Sequence, residues 1–233
     1  DAGAWRTVAE ALLDLAASEG GPATELVVGS VVPDGTAALR DVAAARAIAV
    51  DVLRSGDLPL VSRLEEPERI GVDRALAAWF TYAQHGVPNH RGAIAVTLGT
   101  ALTLTCVSRA GELLGGAIAA SPLLAARALA SGTAALPEVT LYDESPEIPG
   151  PIGASTESAL AAGILRSARG GLTTLIGESV AEMKRRDPGS PAPAISLTGG
   201  AATAGWSAGI HADLRDPDLV VRALLALPRS VRT

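Results

Sequence analysis

Val96-Thr97-Leu98-Gly99-Thr100-Ala101-Leu102-Thr103 packs a β-run, a Gly-Thr turn and a second β-run into one short stretch. Alternation of aliphatic and hydroxyl side chains on either side of the turn predicts two buried strands. The Gly-Thr turn is one whose backbone can approach a ligand closely. Working outward, residues 93–98 and 102–107 read as the two strands, Arg109-Ala110-Gly111-Glu112 as a turn, and residues 114–119 as a third strand. Three antiparallel strands are then followed by a helix over residues 123–130.

Upstream, Thr7 and Glu10 form a candidate capping box for a helix carrying Val8, Leu12 and Leu15, which Gly20-Gly21 stop. Residues 26–32 predict a strand ending at Pro33, residues 36–47 a helix, residues 48–53 a strand, and residues 58–64 a further short run. That β-α-β alternation marks an α/β protein. Gly71 precedes a helix whose inner face is Leu76, Trp79, Phe80 and Ala83, and His85-Gly86-Val87-Pro88 ends it.

Downstream, a Pro-rich connection over residues 137–151 leads to helices over 156–167 and 172–186. Pro191 and Pro193 bracket a loop before a strand at 194–197, and Thr198-Gly199-Gly200 is read as opening another helix. A β-like 211–214 and a helical 219–227 complete the chain. At 233 residues the length suits two lobes, divided here into 1–90 and 91–233.

The net charge of −6 and scattered arginines argue against a nucleic-acid surface, which needs clustered cations. Mean hydropathy is high at +0.31, yet aromatics reach only 3%, so the core is built from small aliphatic side chains. The uncharged run over 92–108 approaches the roughly 18 residues of a membrane span. Its Gly99 and four threonines favour a buried strand-turn-strand instead, and neither membrane association nor a signal peptide is expected. Cys106 stands alone, which excludes an internal disulfide, suits a reducing cytoplasm and predicts a buried structural thiol.

Three constellations carry possible chemistry. Asp73-Arg74 sits at a helix start, where the dipole favours a carboxylate by roughly 0.3–1 kcal/mol with no function required. The functional alternative makes Asp73 the base that accepts a hydroxyl proton and Arg74 a clamp on an anionic group. Gly99-Thr100 is either a plain hairpin turn or a pair of amides and a hydroxyl that hold phosphate oxygens. Gly199-Gly200 either caps a turn or lets a nucleotide approach a helix N-terminus. His85, His90 and His211 have no metal-ligand spacing, and the runs Glu65-Glu66 and Lys184-Arg185-Arg186 read as solvated faces. Trp5, Trp79 and Trp206 are too dispersed for a stacking platform, and Trp79 is read as core.

The order of the motifs says more than any one of them. Gly29-Ser30-Val31-Val32-Pro33, Ile70-Gly71-Val72-Asp73-Arg74, Val96 to Thr103, Gly115-Gly116-Ala117-Ile118-Ala119, Ala135-Leu136-Pro137, Ile152-Gly153-Ala154-Ser155-Thr156 and Thr198-Gly199-Gly200-Ala201 follow one another along the chain. From about residue 26 onward this series resembles type III pantothenate kinase. The resemblance implies two ribonuclease-H-like lobes of the acetate-kinase, sugar-kinase and actin superfamily, with ATP and Mg²⁺ between them, in a cytoplasmic homodimer. It also implies ATP-dependent phosphorylation of the pantothenate hydroxyl, the first step of coenzyme A synthesis. Carried over by position, Asp73 is the general base; Gly71, Val72, Asp73, Arg74 and Thr156 contact pantothenate; Gly99, Thr100, Gly199 and Gly200 hold the nucleotide.

The departures are specific. Nothing before Leu26 matches the family's Asp-x-Gly-Asn-Thr hairpin, so the first lobe is expected to be N-terminally incomplete. Thr97 stands where the family carries an aspartate that binds K⁺ or NH₄⁺, and a neutral hydroxyl is a poor substitute. Leu64, Gly132 and Ala154-Ser155 replace an aromatic, an arginine and a Lys-Asn pair. Two alternatives therefore stand beside the kinase: a nonenzymatic homologue with a binding or regulatory role, and a kinase for another hydroxyl acid.

Overall fold

The computed structural model describes residues 2–21, 23–141 and 148–228. Part of the Pro-rich connection, residues 142–147, therefore lies outside the described residues. Helix α1 spans Ala2–Gly20, well ahead of Thr7. The Thr7 hydroxyl donates to the Gly3 carbonyl at 3.1 Å, so Thr7 sits within the helix and is not its cap. Ala9 and Leu13 are the buried face, whereas Val8, Leu12 and Leu15 face solvent.

Strands β1 (Glu25–Gly29) and β2 (Ala49–Leu53) pair in parallel, and α2 (Pro33–Ala45) makes the crossover between them. The strand is shorter than 26–32 because Pro33, whose fixed φ suits a first helical turn, starts the helix. Short β3 (Val61–Ser62) leaves this pair and joins the second sheet beside β6.

The second sheet holds β4 (Ala93–Leu98), β5 (Ala101–Val107), β6 (Glu112–Ala120), β7 (Ala194–Thr198) and β8 (Leu214–Arg215). Its order is β3-β6-β5-β4-β7-β8. The three central strands are antiparallel as expected, and β7 and β8 add in parallel on the far side of β4. Gly116 is fixed by this pairing, since a Cβ there would stand 1.8 Å from the Leu104 carbonyl oxygen.

Strand alternation gives the sheet two apolar faces. Ala93, Ala95, Val107 and Leu113 lie in one core with Leu53, Leu58, Leu76, Trp79 and Leu219. Ile94, Val96, Leu98, Leu102 and Leu104 lie in another with Leu172 and Ile176. Helix α3 (Val72–Thr81) and helix α6 (Leu219–Ala226) pack on the first face, and α6 also reaches β1. Residues on both sides of position 90 thus share one core, with α3 at its centre. Leu76 and Trp79 are buried and Phe80 and Ala83 partly so, as expected; Ala75, Ala77 and Ala78 are buried too, so α3 is covered nearly all round.

The second face is covered by α5 (Thr156–Arg186), one unbroken helix of 31 residues where two were expected. Gly170 and Gly171 cost roughly 1 kcal/mol each relative to Ala, and the buried anchors Leu165, Leu172 and Ile176 on either side offset that. Helix α4 (Pro122–Gly132) precedes it, with Ser121 accepting from the Leu124 amide at 3.2 Å as N-cap. No described helix is long and apolar enough to cross a membrane.

Gly199 opens turns and a short 3₁₀ segment, Gly205–Ser207, where an α-helix was expected. Arg215 explains the difference: its guanidinium donates to the carbonyls of Ala202 (2.9 Å), Ser207 (3.0 Å) and Ile210. Those acceptors are satisfied from outside, and an i to i+4 ladder does not form.

Cys106 is buried, and burial pushes its thiol up to about 11, against the opposing effects of Ser179 and Arg186. A folded-state value raised above the unfolded one stabilises the fold fully below the unfolded value of 9.0 and loses that contribution as pH rises to about 11. The loss is expected to be on the order of 2 kcal/mol. Urea unfolding at both ends of that window, compared with Cys106→Ala to subtract other titrations, measures it; equal pH dependence in both proteins would count against it.

Candidate active site

Asp73 and Arg74 occupy the first turn of α3, with Gly71 as N-cap. A Cβ on Gly71 would lie 2.4 Å from Asp73 Oδ1, so the carboxylate folds back over the glycine, and a side chain there would turn it aside. Asp73 makes no hydrogen bond or ion pair with any described residue. Arg74 is half-buried, and its Nε is buried with no hydrogen-bond partner. Burial lowers its pKa while Asp73 raises it, yet an arginine keeps its charge at any ordinary pH. A partly desolvated guanidinium whose Nε has no hydrogen-bond partner favours an incoming anion. Val72, by contrast, is buried at 5% exposure and its side chain faces the core beneath Gly29, which leaves its backbone to any ligand.

The orientation of α3 sets what these residues meet. Thr81, at its C-terminal end, donates to the Ala77 carbonyl (2.7 Å), which leaves Ser196 in β7 to donate to Thr81 (2.6 Å). Beyond it, the Tyr82 hydroxyl donates to the Arg109 carbonyl in the β5–β6 turn at 2.9 Å. The N-terminus of α3 therefore points to the opposite end of the sheet, where the Gly99-Thr100 turn and the Gly199-Gly200 loop lie. Arg74 is two turns from Thr81 and so shares its sheet-facing side.

On that side the register aligns three threonines across three strands. Thr97 pairs with Thr103 on one flank and with Thr198 on the other. The Thr103 and Thr105 hydroxyls are buried without a partner, while Thr198 donates to the Pro217 carbonyl at 3.3 Å. Thr103 was not singled out from the sequence; its reflection of Thr97 across the Gly99-Thr100 turn was the available signal. The Thr97 position carries no charge, and among the described residues no cluster of three or more His, Cys, Asp or Glu could hold a metal ion.

The two glycine turns differ in kind. A Cβ on Gly99 would meet only the Ala101 carbonyl oxygen, at an ordinary 3.9 Å, and Gly99 and Thr100 are exposed. Gly199 has φ of +92°, and a Cβ there would meet the Leu98 carbonyl oxygen at 2.7 Å, so it is a turn glycine at a close strand approach. Gly200 is exposed with nothing within 4 Å of its Cβ position. A helix N-terminus is not available there, which leaves the exposed turn backbone as the anion-facing element.

A basin of about 780 Å³ opens beside Gly71 and Val72, at the C-terminal ends of the parallel strands β1 and β2. Ser30, Arg54 and Arg69 also line it. Neither Asp73 nor Arg74 is among its lining residues, and nor is Thr156. It is exposed at the start of α5 and lines a separate apolar groove of about 900 Å³ with Leu102, Leu129 and Leu172. His85 and His90 lie in the turns that follow α3 and His211 precedes β8, and Trp79 is core.

Comparison with known proteins gives the context. The family model described as type III pantothenate kinase matches residues 2–178. A type III pantothenate kinase of Synechococcus sp. (strain JA-2-3B'a(2-13)) is 36% identical over 169 residues, covering 70% of this chain and 61% of that protein. One from Rubrobacter xylanophilus is 30% identical over 213 residues, covering 88% of this chain and 75% of the relative. The match thus spans about three fifths of the Synechococcus protein's length. The crystal structure of a conserved Baf family protein from Campylobacter jejuni superposes with a TM-score of 0.55 at 17% identity, covering 87% of this chain and 80% of the other. That likeness is one of fold.

Proposed function

Because the chain belongs to the type III pantothenate kinase family, we propose that it takes part in ATP-dependent phosphorylation of pantothenate, the first step of coenzyme A synthesis. The observation that carries this is the pairing at the start of α3 of a carboxylate with no hydrogen bond to a described residue, Asp73, with the neighbouring guanidinium of Arg74, whose buried Nε is unused. Asp73 accepts the proton of the attacking hydroxyl. Arg74 holds the carboxylate of the acceptor, and the backbone of Gly71 and Val72 lies against it. Exposed backbone at Gly99-Thr100 and Gly200 suits phosphate oxygens, with Gly199 shaping the turn. ATP, with Mg²⁺ on its phosphates, supplies the phosphoryl group when bound. Thr97 offers no carboxylate for K⁺ or NH₄⁺, so turnover independent of monovalent cations is part of the proposal.

The same proposal takes the architecture as two ribonuclease-H-like lobes with the nucleotide between them, although the boundary at position 90 falls within one core: α3 packs on the large sheet and β3 pairs with β6. Support comes from the β6-β5-β4-β7-β8 order, three antiparallel strands followed by parallel ones, and from the β1-α2-β2 crossover. A homodimer fits the separate location of Thr156: a second copy would bring its α5 start to the basin beside Gly71.

The test is direct. The complete protein, given ATP and pantothenate, should yield ADP and phosphopantothenate, followed by coupled ADP release and by mass spectrometry of the product. A well-folded protein inert with pantothenate but active on another hydroxyl acid would shift the acceptor. The uncharged Thr103-Thr97-Thr198 row favours a second reading, nucleotide binding without turnover. Calorimetric ATP binding with no ADP formed from any acceptor would establish it.

A further inference from the structure

At the opposite end of the large sheet from Asp73 lies a basin of about 880 Å³ that the proposed chemistry does not use. We propose that it is a second binding site, for a small organic oxyanion carried on an apolar body.

The wall brings together the β5–β6 turn, the segment after α3 and the end of α5. Four cations line it, Arg63, Arg109, Lys184 and Arg186, against two carboxylates, Glu112 and Asp187. Both carboxylates are already engaged. Glu112 is bound by Arg63, whose hydrogen bond holds it below the usual carboxylate range, and Asp187 accepts from Arg109 at 2.8 Å. Arg186 reaches Glu182 at 2.7 Å, and Lys184 pairs with no described residue. With Glu182 counted, four cations meet three carboxylates, and Lys184 is the cation left over on a chain of net charge −6. The helix dipole accounts for basic residues in the last turn of α5, but not for Arg63 and Arg109 arriving from other elements.

Below the charges the surface is apolar, formed by Val87, Leu114, Met183, Pro191 and Pro193. Its frame is held in place. The Tyr82 hydroxyl bonds the Arg109 carbonyl, and the Tyr82 ring packs over Gly111, whose φ is +80°. His90 adopts φ of +50°, uncommon for a non-glycine residue, at the end of the single π-turn Tyr82–Gly86 and 3₁₀ turn Val87–Asn89. Backbone departures of this kind persist where surrounding structure over-determines them, and they cluster at ligand sites. A concave, mainly apolar floor with converging cations suits a phosphate or carboxylate bearing a hydrocarbon or aromatic part.

Met183 is the sequence's single methionine and sits in the basin floor, so its ε-methyl resonance reports on occupancy. The full chain, ¹³C-labelled at that methyl, is titrated with phenyl phosphate in one arm and hexanoate in the other. A saturable shift in either arm is expected, and the arm that saturates first identifies the head group. In the exposed double variant Lys184→Ala/Arg186→Ala the affinity should fall about tenfold or more. Lys184→Gln alone should give a smaller loss in the same direction. Asp73→Asn should leave the titration unchanged, which separates this site from the proposed kinase reading. Shifts that never saturate in either arm, or that survive both charge variants unaltered, would overturn the proposal.

Discussion

Asp73→Asn is expected to lower kcat for phosphorylation of pantothenate by about 10²–10⁴-fold, the usual contribution of a positioned general base. The amide keeps the shape that folds back over Gly71 but cannot take up a proton at ordinary pH. Because Asp73 has no hydrogen bond or ion pair to lose, the melting temperature should change little. The variant retains Arg74, so KM for pantothenate should move much less than kcat. Steady-state kinetics beside a thermal melt separates the two effects. A variant that keeps most of its turnover would remove Asp73 from the chemistry, and one that melts early would assign it to the fold.

The largest expected stability effect lies in a position of no chemical interest. Gly116→Ala places a methyl group 1.8 Å from the Leu104 carbonyl oxygen, where neither atom is the flexible end of a side chain. Relief requires separating β5 from β6, next to the irregularity at Cys106/Val107. A cost of about 4 kcal/mol or more is expected, at the level where a marginally stable domain unfolds. Gly170→Ala has the opposite sign. Nothing lies within 4 Å of its Cβ position in the interior of α5, so it should add about 0.5–1 kcal/mol. Chemical denaturation of the two variants, read by circular dichroism, should give midpoints on opposite sides of the parent. A Gly116→Ala midpoint at or above the parent's would mean that the strands tolerate more separation than their geometry indicates.

These two glycines mark where the sequence is legible. Strands β4 to β6 were evident because their alternation and tight turns are local signals, and the β1-α2-β2 unit followed from the same periodicities. The sequence predicts a gap between 167 and 172, where Gly170-Gly171 lie, because intrinsic propensity is local, whereas the apolar anchors that keep α5 continuous are contacts with a distant sheet. Thr198-Gly199-Gly200 looked like a helix start for a similar reason. Arg215, far along the chain, captures the carbonyls that a helix would have used. Thr7 had the composition of a cap and turned out to be interior.

Within the candidate site, Asp73 and Arg74 were legible as a helix-start pair, and the burial of Arg74 Nε was not. The threonine row needs the strand register, which no single stretch of sequence contains. Motif order groups Thr156 with Gly71 and Val72, yet in the single chain it lines a different groove from theirs.

Helix α3 carries Asp73 and Arg74 at its first turn and is also the element most deeply shared by the central core. A site mounted on a mobile loop can melt while the rest of the protein stays intact. Here the temperature of heat inactivation and that of global unfolding must coincide, and amides along α3 should be among the last to exchange with deuterated solvent.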